Sequence, residues 1–241
     1  MTLRVLVIQN DVTVPPGLVG EWLRDEGLVV DVVAAYAGES VPTSVPAGVD
    51  GVVALGGEMG ALADREAAWL PAERDLLRDA VGREVPILGL CLGGQLLAAA
   101  MGGSVGTAVA AEAGVYAMHA ADALASDDVF GGLAGKPVRA AQWHVDAVET
   151  LPPDATLLMT NDACPIQAFR VGGFAWGVQF HPEVDAAIVE GWVGDDGALR
   201  AAGVTAEDAV EQVRQAYDEL VATWQPVIAR WAHVVAERTS R

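Results

Sequence analysis

The chain has 241 residues, 52% of them hydrophobic, and a net charge of −19. That length allows one large α/β domain or two small ones, with a sizeable core. The charge opposes binding to nucleic acid and to anionic membrane surfaces, and no apolar run reaches the ~18 residues of a membrane-spanning helix.

The two cysteines, Cys91 and Cys164, form neither a CxxC pair nor a disulfide framework. The four histidines, at 119, 144, 181 and 233, have no metal-ligand spacing, so neither a metal nor a cofactor is expected. The segment from Met1 to Ile8 lacks the small-residue cleavage site of a signal peptide and runs directly into a strand pattern, which reads as a cytoplasmic protein.

Taken in order, residues 3–8 form a first strand, followed by the polar loop Gln9-Asn10-Asp11. Pro15-Pro16-Gly17 leads into a helix with Leu18, Val19, Trp22 and Leu23 on one face, ended by Gly27. Leu28 to Val33 is the next strand. Asp50 to Leu55 is a third, and it ends in Gly56-Gly57-Glu58-Met59-Gly60, a turn whose backbone N–H groups can point at a ligand. Arg65 to Val81 is a helix with Trp69, Leu76, Leu77 and Ala80 as its buried stripe.

Pro86 to Leu90 is apolar without alternation, as expected for a strand covered on both faces. Gly89-Leu90-Cys91-Leu92-Gly93 follows the pattern Gly-x-nucleophile-x-Gly, the strained turn between strand and helix that exposes a nucleophile at the strand's C-terminal end. A cysteine there lies beside a helix N-terminus, where the backbone dipole favours an anion. Strand–helix alternation from residue 3 to 102 implies a mostly parallel sheet with helices on both faces, and ligands of such sheets bind at the strands' C-terminal ends.

The pattern then changes. Val115–Met118, Val138–Ala141, Ala155–Thr160, Pro165–Phe169 and Phe174–Phe180 are short β-like runs, read as antiparallel strands and hairpins that finish the same domain. Residues 205–237 are helical, with Val210, Val213, Tyr217, Leu220, Trp224, Val227, Trp231 and Val234 as a core stripe; Thr205 starts the helix and Pro226 should kink or divide it. The domain is placed at 1–190, with 191–241 as a C-terminal helical extension packed on it. Cys164, before Pro165, reads as a buried apolar residue.

A thiol nucleophile needs a base, and the base needs an orienter. Gly177-Val178-Gln179-Phe180-His181-Pro182-Glu183 supplies both: His181 stands just past a strand-like run, and Glu183 can curl back to one imidazole nitrogen while the other faces the thiol. A cysteine α/β-hydrolase, with Asp146 or Asp154 preceding His181, fits the elbow as well, and so does a non-catalytic regulatory module that kept the fold.

Gly89 to Gln95 and Gly177 to Glu183, with the Leu55 to Gly60 turn and Gln142-Trp143-His144-Val145-Asp146, resemble the class I (triad-type) glutamine amidotransferases, in particular free-standing members similar to the amidotransferase domain of GMP synthase. The resemblance covers about residues 3–190. It implies a flavodoxin-like three-layer sandwich and a Cys-His-Glu triad of Cys91, His181 and Glu183, with the backbone N–H groups of Gly57 and Leu92 as oxyanion hole. Gln95, Glu112, Gly114, Trp143 and His144 are the implied substrate contacts, His144 being equally open to a structural role, and Asp146 is expected to hold the Trp143-His144 loop.

The implied substrate is glutamine, and the implied ammonia acceptor is a separate synthetase subunit, because the chain ends without a synthetase domain. A stand-alone γ-glutamyl peptidase or γ-glutamyl-amine hydrolase on the same triad is the alternative. Glu58 stands where relatives often carry proline; a carboxylate there either repels a negatively charged substrate end or binds an amine.

Overall fold

A computed structural model describes residues 2–194 and 196–240. Among the described residues, nine strands form a single sheet. They are β1 (Arg4–Gln9), β2 (Val29–Ala34), β3 (Gly51–Ala54), β4 (Ile87–Leu90), β5 (Ser104–Ala120), β6 (Val138–Thr150), β7 (Ala155–Thr160), β8 (Ala168–Val171) and β9 (Ala175–Val178), in the order β2-β1-β3-β4-β9-β8-β7-β5-β6. The first five in that order are mutually parallel and the remaining neighbours are antiparallel. The helices are α1 (Gly17–Asp25), α2 (Leu70–Gly82), α3 (Leu92–Ala100), α4 (Ala186–Trp192), α5 (Asp196–Ala202) and α6 (Ala206–Thr239).

The period-2 alternation of the inner strands sorts their side chains onto two faces. Val5, Val7, Val53, Leu88, Leu90, Trp176 and Val178 join Leu18, Trp22 and Leu23 of α1 and the stripe of α6. Leu6, Ile8, Val52, Ala54 and Ile87 join Leu70, Leu76 and Leu77 of α2 and Leu96 and Leu97 of α3. Strands β3, β4 and β9 are buried along their whole length, so the three-layer, doubly wound arrangement follows from having apolar residues to offer both faces.

Strand order reverses direction between β1 and β3, which makes the C-terminal edge there the crevice of this fold class. The loops after β1, β3, β4 and β9 all open onto that edge.

The C-terminal residues bury their large apolar groups on the sheet. Trp224 Nε1 donates to the Arg139 carbonyl and Trp231 Nε1 to the Ile87 carbonyl, each at 3.2 Å. Phe180 stacks 4.4 Å from Trp224, centroid to centroid.

Four sequence expectations differ from the structure. First, α6 is continuous through Pro226. Pro226 and Ala222 both lie on the exposed face, so the carbonyl left without its helical partner is open to water, while the neighbouring Trp224, Val227 and Ile228 are anchored in the core. Second, Tyr217 is 38% exposed and lies off the buried stripe. Third, the short hairpins of residues 104–150 are one long ribbon: β5 has 17 residues and β6 has 13, and their register is interrupted by an irregularity between Thr107 and Glu112. Alanine- and glycine-rich stretches with exposed outer positions hide such strands from a hydrophobic pattern. Fourth, α2 begins at Leu70 rather than Arg65, with Pro71 in its first turn.

Candidate functional site

The elbow after β4 is built as its glycines require. Cys91 adopts φ 49°, ψ −108°, a strained conformation for a residue with a side chain, and forms the N-cap position of α3. Its N–H is tied to the Val178 carbonyl at 2.9 Å. A Cβ at Gly93 would collide with the Ala54 carbonyl oxygen, and one at Gly89 would lie 2.6 Å from the Gly93 carbonyl oxygen. Only glycine lets helix α3 start this close to β3 and β4. The result is a thiol held at the strand end by the backbone.

His181 follows β9, the strand beside β4. Its N–H donates to the Ala141 carbonyl at 2.9 Å. Its Nδ1 lies 2.7 Å from Glu183 Oε1, and both side chains are buried. Glu183 is pinned from the other side, because its carbonyl accepts the Leu18 N–H at the start of α1, at 2.9 Å. A Cβ placed on Gly56 would lie 3.0 Å from His181 Cε1 and 3.6 Å from Cys91 Cβ, so the imidazole and the thiol flank the turn after β3.

His181 Nε2 is buried and makes no hydrogen bond among the described residues. Burial opposes the charged ring, but the Glu183 carboxylate and then the Cys91 sulfur outweigh it, and the His181 pKa is raised from 6.5 to about 10. A base oriented on one nitrogen, with the other left for a neighbouring thiol, is the working geometry of nucleophilic catalysis.

Cys91, Leu92, Gly57, Glu58, Gln95, Trp143, His144 and His181 line one cavity of about 280 Å³. Leu92 Cδ2 is 3.1 Å from the Cβ position at Gly57, so the Leu92 side chain packs against the turn after β3. Gln95 lines the cavity and is itself held, donating to the Asp146 carbonyl at 3.0 Å and to Gln179 Oε1 at 3.2 Å. His144 lies with Nδ1 3.1 Å from the Asp146 carbonyl and Nε2 3.1 Å from Glu112 Oε2.

Glu112 and Gly114 are not among the cavity's lining residues. Glu112 is fully buried behind His144, where it accepts from Asn161 Nδ2 at 2.6 Å and Gln167 Nε2 at 2.7 Å. Gly114, at φ +126°, sits against the Gln212 side chain of α6.

Two residues to which the sequence assigned no site role belong to the site. Gln179 Nε2 lies 3.5 Å from Cys91 Sγ; it interrupts an otherwise apolar strand run two residues before His181, and that break was the available signal. Trp192, from α4, tilts its ring 4.7 Å from that of His181 and packs edge-on against Trp143 at 5.7 Å. Its Nε1 donates to the Thr13 carbonyl at 2.8 Å. With Gly197 and Ala198 of α5 it closes one wall of the cavity. Nothing in local spacing marks it, and the hydrogen bond that anchors its ring, to Thr13, spans 179 residues.

Cys164 is a different thiol. It is buried and donates to the Ile166 carbonyl, and burial, chiefly, pushes its pKa up to about 12. We expect native protein to be alkylated by iodoacetamide at Cys91 at least roughly 100-fold faster than at Cys164, read by peptide mass spectrometry. Equal labelling would remove the distinction between them. Among the described residues, no group of three or more His, Cys, Asp or Glu side chains could hold a metal ion, and no helix is long and apolar enough to cross a membrane.

The family model for class-I glutamine amidotransferases matches residues 23–188. A glutamine-hydrolyzing GMP synthase subunit from Pyrococcus furiosus is 45% identical over 101 residues, 42% of this chain and 52% of that protein. The chain thus spans about half the length of that curated relative. A glutamine amidotransferase-like protein from Salmonella typhimurium is 29% identical over 79% of this chain and 80% of its own length. Among solved structures, a glutamine amidotransferase from Thermotoga maritima aligns with a TM-score of 0.83 at 27% identity, covering 96% of this chain and 99% of that one. A glutamine amidotransferase from Methylobacillus flagellatus aligns at 0.84, also at 27% identity, covering 96% of this chain and 94% of that one.

Proposed function

Because the chain belongs to the class-I glutamine amidotransferase family, we propose that it hydrolyses the γ-carboxamide of glutamine through a γ-glutamyl thioester on Cys91, releasing glutamate and ammonia. The observation that carries this reading is the elbow cysteine at the C-terminal end of β4 beside the buried His181–Glu183 pair, with Cys91 and His181 lining one cavity.

In the first half-reaction His181 Nε2 holds the proton drawn from the Cys91 thiol, as its raised pKa favours, and Sγ attacks the carboxamide carbon. The oxyanion that forms is met by the backbone N–H groups of Gly57 and Leu92. Such donors each lower a barrier by about 3 kcal/mol when they are already in place. His181 returns the proton to the departing nitrogen, the C–N bond breaks, and ammonia leaves.

In the second half, water gives a proton to His181 and attacks the thioester. The C–S bond breaks, the proton returns to sulfur, and glutamate departs. Glu183 holds the ring in the tautomer that both halves need and offsets the charge of the imidazolium. The sum is glutamine plus water to glutamate plus ammonia.

Relatives named as subunits of glutamine-hydrolyzing GMP synthase support an ammonia acceptor on a separate synthetase subunit. A second reading, hydrolysis of γ-glutamyl amides or peptides, is favoured by one observation: Trp192, Gly197 and Ala198 complete the cavity wall from within this chain. The test is glutamate release by the purified chain from glutamine and from a panel of γ-glutamyl amides and dipeptides. Preference for glutamine supports the first reading and preference for γ-glutamyl amides the second. Absence of glutamate release on the whole panel sinks both for the isolated chain.

The same assay tests the Trp192 wall. Trp192→Ala is expected to lower kcat/KM by roughly 10- to 100-fold, because the His181 ring loses the surface that limits its tilt. Trp192→Phe should keep most of the activity. An alanine variant as active as the parent would reduce Trp192 to packing.

A further inference from the structure

Behind the Gly56–Gly57 turn lies a buried carboxyl group that the chemistry above leaves unused. Glu73, in the first turn of α2, is fully buried. Its neighbour Asn10, in the loop after β1, is also fully buried, and its amide orientation is fixed by its partners. The Trp69 indole, which can only donate, gives its Nε1–H to Asn10 Oδ1 at 2.8 Å. Asn10 Nδ2 therefore faces two acceptors, the Leu55 carbonyl at 3.1 Å and Glu73 Oε1 at 3.2 Å. Asn10 Cβ lies 3.2 Å from the Cβ position at Gly57. Trp69, Asn10 and Glu73 thus form the rear support of the turn whose N–H is to meet the oxyanion.

The number of donors indicates which form of Glu73 fits. Glu112, equally buried, has Asn161, Gln167 and His144 around its two oxygens. Glu73 has one N–H, at 3.2 Å, and its Oε2 has no partner among the described residues. A buried anion with one donor is far costlier than a buried neutral acid.

We propose that Glu73 is a positioning residue that must remain protonated for turnover: as a neutral acid it holds Asn10 and the Leu55–Gly57 backbone in place, and its ionisation disables the oxyanion site. This rests on the amidohydrolase reading of Cys91. The charged group beside Glu73 is Arg74, whose Nη1 donates to the Ala61 carbonyl and whose Nη2 lies 2.8 Å from both carboxylate oxygens of Asp64. From the other elements packed against it, Asn10 and Trp69 bring no charge. Burial raises the Glu73 pKa from 4.5 to about 8, against the Asn10 hydrogen bond and the Arg74 charge. The N-terminal dipole of α2 also opposes this shift. Above that pH an anion stands behind Gly57 in a poorly screened interior, where it repels the oxyanion and draws the Asn10 amide away from Leu55.

The sign for stability follows from linkage. The folded state keeps a proton that the unfolded chain releases near 4.5, so the contribution of Glu73 is fully present below that pH and is lost as pH rises through about 8. Glu73→Gln keeps an acceptor for Asn10 and removes the titration.

The experiment is the pH profile of kcat/KM for glutamate release, wild type against Glu73→Gln, with the thermal midpoint followed over the same range. Wild type is expected to fall about tenfold between pH 7 and pH 9. In the variant the alkaline limb moves up by about two pH units, to where His181 loses its proton near 10. The thermal midpoint of the variant should lose the downward slope between pH 5 and pH 6.5, and above that keep only the slope that His181 contributes.

Superimposable alkaline limbs in the two proteins overturn the proposal. Absence of glutamate release at every pH in wild type instead overturns the amidohydrolase reading on which it rests. If Glu73→Gln does not fold, carbon-13 NMR of glutamate carboxyl groups in wild type decides. A carboxyl titrating near pH 8 in step with activity supports the proposal, and titration of every glutamate below pH 6 overturns it.

Discussion

Replacing Cys91 by alanine is expected to abolish glutamate release, with kcat/KM down by roughly 10⁴-fold or more, while the fold survives. In the proposed reaction the sulfur forms the covalent intermediate, and the site offers no second thiol to replace it, since Cys164 donates to the Ile166 carbonyl at the protein interior. The fold should survive because the elbow is fixed by backbone contacts, the 2.9 Å bond from Cys91 N–H to Val178 and the close approach of Gly93 to Ala54. Alanine at φ 49° carries the same strain as cysteine, so no large change in stability is expected. Rates come from coupled glutamate detection, and integrity from circular dichroism and the thermal midpoint. Activity at the parental level in Cys91→Ala would show that the nucleophile lies elsewhere.

The next-largest effects are expected at His181 and Glu183, and their ranking is informative. His181→Ala should cost roughly 10⁴-fold or more, because proton transfer to and from the thiol is lost outright. Glu183→Ala should cost less, about 10²- to 10³-fold, because the imidazole remains and loses only its orienter. The reverse ranking would contradict the assigned roles. The pair also sets a pH dependence of stability. The His181 pKa is raised from 6.5 to about 10, so its contribution is fully present below pH 6.5 and disappears as pH rises through about 10. In His181→Ala that alkaline loss of stability should be absent from thermal midpoints measured between pH 6 and pH 11.

Much of this was legible before any coordinates. The parallel strands β1, β3 and β4 are short and apolar, and hydrophobic pattern reads such elements well. The elbow is a local device: two glycines and a cysteine within five residues suffice because the geometry that needs them is itself local. His181 and Glu183, two residues apart at a strand end, belong to the same kind of signal. The long β5–β6 ribbon was read as fragments, since its alanine and glycine residues carry weak β preference and the ladder is held by cross-strand pairing such as Glu112 opposite His144.

What sequence alone determined is the chemistry carried by contiguous motifs: a thiol at a strained turn, a histidine with a carboxylate beside it, and a Gly-Gly turn at a strand end. Tertiary structure decided everything made by long-range packing. It put Trp192 over His181, turned Glu112 inward to Asn161 and Gln167 behind the cavity wall, and placed Asn10 and Glu73 behind the Gly57 turn. The physical reason is that backbone strain and strand ends are properties of neighbouring residues. Burial, donor count and ring contact are properties of space, and they appear only when distant segments share the same interior.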